Sequence, residues 1–179
     1  MEILSIYTKE IATMFHIKVI KHQDITKQEL DEVIAIKSKQ WHYNYEQQLN
    51  WINSNIKEND IHILLQLGNS VVAYLNLIDI DVEINENSIK GYGVGNVCAI
   101  EKGKGFGFEI MKEANSYILD SKKVGLLFCK QPLLRFYKSL SWNEVEPKNY
   151  KINGKDLNVM IFNVVLNENM FVVYNGIDF

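Results

Sequence analysis

Residues 91–129 restrict the possible folds more than any other part of the sequence. A strand pattern over 91–100 is followed by a glycine-bearing loop, an amphipathic helical pattern over about 105–120 and a short continuous apolar run over 124–129. A helical crossover of this kind makes the two strands parallel and the connection right-handed. The uninterrupted apolar run is typical of a strand that is buried on both faces of a sheet.

The flanking segments add antiparallel strands and further helices. Thr26 and Glu29 form a capping box that opens a helix ending at about residue 39. Gly68 and Asn69 form a two-residue hairpin signal between two strand patterns. The other predicted elements are helices over 45–58 and 132–141 and strands over 14–22, 61–67, 71–82, 142–146, 157–166 and 170–174. We therefore predict an α/β (mixed α+β) fold formed by a single domain, residues 1–179. Its mixed, mostly antiparallel sheet has about six or seven strands, helices on both faces and one central βαβ unit.

Composition excludes several classes of protein. The chain has 19 basic and 22 acidic residues, and Arg135 is its only arginine, so a nucleic-acid-binding surface is not expected. The two cysteines, Cys98 and Cys129, lie in apolar runs without metal-ligand spacing, which indicates reduced, buried thiols and no metal site. No apolar run is long enough to span a bilayer, and the N-terminus lacks the pattern of a signal peptide. These features predict a cytoplasmic protein without a membrane partner.

Glycine is concentrated in one short stretch. Six of the ten glycines lie between residues 91 and 107, and three of them belong to the loop Glu101-Lys-Gly-Lys-Gly-Phe-Gly107 before the predicted helix. Backbone N–H groups at a helix N-terminus attract anions, and glycine allows a phosphate to approach the backbone closely. The spacing matches neither a P-loop nor a dinucleotide-binding loop. The alternative is a turn that only packs the helix on the strand.

Two motifs in this sequence resemble those of the GNAT N-acetyltransferases. Lys102-Gly-Lys-Gly105-Phe-Gly107 looks like the family's (Q/R)-x-x-G-x-(G/A) motif, with Lys102 at the Gln or Arg position. Arg135-Phe-Tyr-Lys-Ser-Leu-Ser-Trp142 resembles the F-Y-x-x-x-G-(F/W) motif, with Ser141 replacing the usual glycine. The predicted order of strands and helices also agrees with this family over nearly the whole chain.

The resemblance implies acetyl-CoA as the cofactor and assigns roles to individual residues. The loop amides of residues 103–107 would hold the pyrophosphate, and the backbone of Val97 and Ala99 would pair with the pantetheine arm. Tyr137 would protonate the departing thiolate, although an aromatic residue on a helix face can also be a plain core residue. The predicted coenzyme-binding residues are Val97, Ala99, Lys102, Gly103, Lys104, Gly105, Phe106 and Gly107.

The base that accepts the amine proton is not identified by the sequence. Relatives usually carry a carboxylate on the strand that we place at 91–100, and this chain has Gly95 and Asn96 in that stretch. A bound water activated by backbone carbonyls is one alternative. The side-chain candidates are Asp79, Asp81, Glu83, His42 and His62.

The acceptor site is predicted from the aromatic loop over residues 41–45 and from the C-terminal sequence. Trp41 lies where related enzymes cap the acceptor cleft, or it serves only as a hydrophobic contact between two helices. The C-terminal sequence is similar to that of the aminoglycoside 2′-N-acetyltransferase branch, in which Asp178, Asp156 and Phe179 with its α-carboxylate would line the pocket. The alternative for this segment is a strand at the sheet edge or a dimer contact.

The expected function is acetyl-CoA-dependent N-acetylation of a primary amine on a small polar acceptor, by direct transfer in a ternary complex. The alternatives are an aminoglycoside acetyltransferase, a non-catalytic acyl-CoA-binding domain and, less favoured, an enzyme acting on protein N-termini or lysines. A homodimer formed through the C-terminal half is also possible from the strand pattern.

Overall fold

One nine-stranded sheet organises the described part of the chain. The computed structural model describes residues 15–152, 157–165, 167, 169–177 and 179. The helices in these ranges are α1 (Lys27–Gln40), α2 (Tyr45–Asn55), α3 (Phe106–Asp120) and α4 (Leu134–Lys138). The strands are β1 (Phe15–Lys21), β2 (Ile61–Leu67), β3 (Ser70–Ile84), β4 (Asn87–Ala99), β5 (Val124–Cys129), β6 (Asn143–Val145), β7 (Tyr150–Ile152), β8 (Asn158–Phe162) and β9 (Val172–Tyr174).

The sheet confirms the predicted class and the central βαβ unit. Its main strand order is β1-β2-β3-β4-β5-β8-β6, and β9 joins the far end of β3 while β7 pairs with β9. Strands β4 and β5 are parallel and are joined through α3, as predicted. The expectation of about six or seven strands was too low, because β7 was not predicted: it has three residues and pairs in parallel with β9 without a local hairpin signal.

The helices cover both faces of the sheet. Along β2, Ile63 and Leu65 belong to the core beneath α3 and α4, whereas Leu64 belongs to the core beneath α1 and α2. This alternation follows from the two-residue period of a strand. None of the helices in the described ranges is long and apolar enough to cross a lipid bilayer.

Capping and turns explain where the elements begin and end. Thr26 and Glu29 make the predicted capping box of α1, and Asn44 with Gln47 makes a second one for α2. Helix α2 ends at Asn55 rather than 58. The predicted helix over 132–141 is a short turn, Gln131–Leu133, followed by α4.

A β-bulge in β4 shapes the centre of the sheet. Asn76 pairs with Gly95 and Tyr74 with Cys98, so one residue of β3 lies opposite two of β4. Asn96, inside the bulge, has a φ of 52°, in the left-handed region. Such a bulge bends the strand and redirects its side chains.

Candidate functional site

A slot opens between the two parallel strands immediately after their short pairing. Strand β4 pairs with β5 only from Gly91 to Gly93, opposite Val124 to Leu126. Beyond Gly93, the described residues include no strand that pairs with β4 on this side. Val97 and Ala99 lie in this unpaired stretch and are half-buried. Their backbone can therefore accept an extended ligand as an additional strand.

The glycine loop lies at the end of β4 and leads into α3. Gly103 has a φ of 78° and Gly105, the N-cap of α3, a φ of 80°. Both values favour glycine because a Cβ is strained there. A Cβ at either position would meet no atom within 4 Å, so the space above the loop is open. The loop residues Lys102 and Lys104 are exposed. The loop after β4 therefore has an open backbone surface at the N-terminus of α3, which is a geometry that favours anions.

The two sequence motifs meet at the N-terminus of α3. A Cβ on Gly107 would lie 3.7 Å from Cζ of Phe136, on α4. Arg135 is exposed beside Phe136, and the described residues hold no ion-pair partner for it. Ser141, which replaces the family's usual glycine, has a φ of 66°. The backbone at residue 141 therefore retains the conformation that favours glycine, and serine adopts it with some strain.

Tyr137 lies on α4 in an apolar environment. Its ring packs edge-on against Phe136 at 5.0 Å and against Trp142 at 6.5 Å between centroids. Burial, with a smaller contribution from Cys129, raises the pKa of the Tyr137 hydroxyl well above its usual range. The hydroxyl is therefore protonated at neutral pH, the state that a proton donor requires.

A cavity of about 440 Å³ lies between α1, α2 and β4. Its aromatic wall consists of Trp41, Tyr43, Trp51 and Phe179. Its polar wall consists of Lys37, Gln47, Gln48 and Asn96. The volume is in the range of small-molecule sites. The structure thus brings together Trp41 and Phe179, the two predicted acceptor residues that the described ranges contain.

Phe179 packs directly on the glycines of β4. A Cβ on Gly93 would collide with the Phe179 ring, and a Cβ on Gly95 would lie 2.5 Å from the main-chain carbonyl carbon of Phe179. The ring also stacks on Phe128 of β5 with 4.9 Å between centroids. The glycines at 93 and 95 therefore make room for Phe179. Asp156 and Asp178, the other two predicted acceptor residues, lie outside the described residues.

The carboxylate candidates for the base do not line this cavity. Asp79 pairs with Lys123 at 2.9 Å, and Asp81 pairs with Lys90 at 2.9 Å. Both aspartates, with Glu83, line a different depression beside β9. The expectation that one of them faces the acceptor cleft is not met. All three lie in the C-terminal half of β3, away from the residues that line this cavity.

The histidine candidates are also absent from the cavity wall. His62 is fully buried and hydrogen-bonds to Tyr74 at 2.8 Å and to His22 at 2.9 Å. Burial lowers the pKa of His62 to about 3, so its imidazole is neutral at pH 7. His42 is exposed and lies outside the cavity wall. His62 therefore has the structural role of a satisfied core histidine.

Lys37 was not among the functional residues predicted from the sequence. Lys37 occupies the apolar stripe of α1, where a charged side chain interrupts an otherwise hydrophobic spacing. Its ammonium lies 4.2 Å from the centroid of the Trp51 ring. Burial lowers its pKa to about 8. This lysine within an apolar stripe was the one signal in the sequence that could have identified the residue. A lysine side chain is rarely fully buried unless it has a partner.

Comparison with known proteins agrees with this geometry. The family model described as an acetyltransferase (GNAT) domain matches residues 21–144. No curated protein matches the chain in sequence. Escherichia coli ElaA has a similar solved structure, with a TM-score of 0.64, 16% identity and coverage of 84% of this chain and 100% of that one.

Two further solved structures have the same fold. An acyl-CoA N-acyltransferase from Pseudomonas aeruginosa is similar with a TM-score of 0.60, 16% identity and coverage of 83% of this chain and 97% of that chain. A GNAT family acetyltransferase from Brucella melitensis, in complex with acetyl-CoA, has a TM-score of 0.57 at 12% identity over 89% of this chain and 96% of that one.

The fold and the family match define an acyltransferase. The family model covers well over half of the chain, so the protein belongs to the GNAT acetyltransferase family. Acetyl-CoA is the acyl donor of this family, as the resemblance of the two motifs implied.

Proposed function

We propose that this protein transfers the acetyl group of acetyl-CoA to a primary amine of a small acceptor, by direct attack within a ternary complex. The observation that carries the proposal is the meeting of two spaces at the β4 bulge. The slot begins after Gly93, and the aromatic cavity reaches the same strand at Asn96. An acceptor in the cavity would therefore lie beside a thioester in the slot.

The coenzyme would bind through the residues predicted from the motifs. The amides of residues 103–107 would bind the pyrophosphate, with Lys102 and Lys104 supplying positive charge. The backbone of Val97 and Ala99 would hydrogen-bond the pantetheine arm. The unpaired edge of β4 and the open space above Gly103 and Gly105 support this placement.

Direct transfer is favoured over an acetyl-cysteine intermediate by the state of the two thiols. Cys98 and Cys129 are both buried, and burial raises their pKa values to about 12 and about 11. Only a thiolate attacks a thioester effectively, and such thiols are almost wholly protonated at pH 7. The acceptor amine is therefore the nucleophile.

The acceptor amine must lose a proton before it attacks. An alkylammonium has a pKa of about 10.4, so forming the neutral amine at pH 7 costs roughly 4.6 kcal/mol. The Lys37 ammonium disfavours a second cation in the cavity, which lowers the pKa of a bound amine. Tyr137, whose hydroxyl is protonated at neutral pH, would then donate its proton to the leaving thiolate.

Calorimetry and kinetics together test the proposal. We expect coenzyme A to bind in isothermal titration and acetyl-CoA to release free thiol when a suitable amine is added. Initial rates at varied acetyl-CoA and amine should give intersecting lines, whereas parallel lines would indicate an acetyl-enzyme. Coenzyme A binding without thiol release for any amine would instead indicate a non-catalytic binding domain.

The acceptor panel also tests the aminoglycoside alternative. It should contain aminoglycosides, polyamines, amino acids and short peptides. Among the described side chains of the cavity wall, Lys37 is the charged one, and it repels a polycation. We therefore expect aminoglycosides to be poor acceptors, and rapid thiol release with them would favour that branch of the family.

A further inference from the structure

Lys37 carries a buried ammonium that has no hydrogen-bond acceptor. The residue is 1% exposed, yet it lines the acceptor cavity. Among the described residues, its Nζ atom has neither a hydrogen-bond nor an ion-pair partner. Its favourable contact is the face of Trp51, 4.2 Å from the ring centroid. Burying a cation without an acceptor is costly, so such a group indicates a partner that is supplied from outside the chain.

A second donor without an acceptor lies next to the cavity wall. Asn76 is fully buried, and its Oδ1 accepts a hydrogen bond of 2.7 Å from Nδ2 of Asn96, a wall residue. This bond leaves Nδ2 of Asn76 without a partner among the described residues. Buried polar groups normally have partners, so the Lys37 ammonium on this wall indicates a ligand that supplies acceptors, and Asn76 behind the wall is a second unpaired donor of the same region.

The remaining groups of the wall do not neutralise Lys37. Nε2 of Gln48 is already engaged with the carbonyl oxygen of Trp41 at 3.2 Å. The described wall residues include no aspartate or glutamate side chain, and the main chain of Phe179, which lies against Gly95, does not bond to the Lys37 ammonium. The neighbouring Cys98 thiol is protonated, because burial raises its pKa to about 12. Lys37 itself, with a pKa lowered to about 8, is mostly charged at pH 7.

We infer that the cavity recognises a carboxylate of the acceptor through the Lys37 ammonium, so that the substrates are amino carboxylates with an aromatic or apolar side chain. This inference rests on the proposed function and names its substrate class. A carboxylate offers only acceptors and an ammonium only donors, so the two complement each other. Trp41, Tyr43 and Phe179 would contact the apolar part of the same molecule.

Matched ligands that differ only at the carboxylate test the inference. L-phenylalanine, L-phenylalaninamide and 2-phenylethylamine would be titrated calorimetrically into the protein saturated with coenzyme A. We expect L-phenylalanine to bind about tenfold to a hundredfold more tightly than the amide, the range for a charge-assisted hydrogen bond. The same comparison with L-leucine and L-leucinamide shows whether the preference follows the carboxylate rather than the ring.

Three substitutions on α1 assign the preference to Lys37. Lys37→Met keeps the length of the side chain and removes the charge, and we expect it to abolish the preference. Lys37→Arg keeps a cation and should retain part of it. Lys39→Met is the matched control, because Lys39 is exposed on the same helix. Circular dichroism and coenzyme A binding would establish that each variant is folded.

The outcomes separate the inference from the proposed function. Equal or tighter binding of the amide, failure of both amino acids to bind at millimolar concentration, or a preference that survives Lys37→Met would overturn the inference. Thiol release with 2-phenylethylamine but not with amino acids would also overturn it while upholding acetyl transfer. Carboxylate binding that depends on Lys37, without thiol release for any amine, would uphold carboxylate recognition by Lys37 but refute acetyl transfer, and with it the assignment of amino carboxylates as substrates.

Discussion

The main-chain carbonyl carbon of Phe179 lies 2.5 Å from the place where a Cβ on Gly95 would be. No side chain fits at position 95 while Phe179 keeps its place. We therefore expect Gly95→Ala to displace Phe179 from the acceptor cavity. The thiol-release assay should show a KM for the acceptor raised about tenfold or more, with the affinity for coenzyme A little changed.

A double-mutant cycle checks that this effect passes through Phe179. Contacting residues couple energetically, so Gly95→Ala should have a much smaller effect in a chain that lacks residue 179. Equal effects in the two chains would mean that the alanine acts on β4 itself.

Alanine substitutions at Gly105 and Gly107, in and after the loop that joins β4 to α3, should distinguish backbone strain from steric hindrance of coenzyme binding. Gly105 has a φ of 80°, so Gly105→Ala should lower stability by about 1 kcal/mol and weaken coenzyme A binding. A Cβ on Gly107 would meet only Phe136, at 3.7 Å, so Gly107→Ala should leave the melting temperature unchanged. Weaker coenzyme A binding by Gly107→Ala in calorimetry would then report a direct approach of the coenzyme to residue 107.

Tyr137→Phe should lower kcat by about tenfold to a hundredfold and leave coenzyme A affinity intact, because it removes the proton donor but keeps the ring packing. Since burial raises the pKa of Tyr137, the wild-type rate should not fall through loss of this proton below pH 10. Tyr150→Phe is the control, because Tyr150 lies in β7 rather than α4, and its hydroxyl donates a hydrogen bond to the Leu157 carbonyl. An unchanged kcat in Tyr137→Phe would remove this residue from the mechanism.

Lys37→Met should stabilise the fold at neutral pH. The pKa of Lys37 is lowered from 10.5 to about 8, which corresponds to about 3 kcal/mol of stability lost below pH 8. Between about pH 8 and 10.5 the unfolded chain binds this proton and the folded chain does not, so this contribution makes stability rise with pH. Urea unfolding should show Lys37→Met more stable by about 1 to 3 kcal/mol at pH 7, with the difference shrinking by pH 10.5.

The measured quantity is the difference between the two proteins, because the Cys98 thiol, with a pKa raised from 9.0 to about 12 by burial, also makes stability depend on pH. A pH-independent difference would show that Lys37 is not desolvated as described. Lys39→Met should follow the wild type at every pH.

Local patterns were sufficient for most of the fold. The capping box of α1, the parallel unit around α3 and the continuous run of β5 each have a physical signature within a few residues, and all three were predicted. Strand β4 begins at Asn87 rather than 91, because the β3–β4 turn uses positive φ angles at Asn85 and Glu86 instead of glycine. The pairing of β9 with β3 joins segments nearly ninety residues apart, and no local signal reports it.

The site was harder to predict than the fold because its walls come from distant segments. Trp41 was found from an aromatic loop, and Phe179 from the C-terminal sequence. Lys37 is separated from Asn96 by three intervening elements, and only folding shows that both face one cavity. The purpose of Gly93 and Gly95 was likewise hidden, because Phe179, the residue that needs their space, lies more than eighty positions away.

The separation of β4 from β5 also has a consequence for solubility. Past Gly93, the described residues of β4 and β5 no longer pair with each other, so two strand edges face each other across the slot. Exposed edges of this kind promote association between chains. A bound coenzyme arm would cover both edges at once, so we expect acetyl-CoA to suppress aggregation during heating. In a cell, the supply of acetyl donor would then influence how long each molecule survives as well as how fast it works.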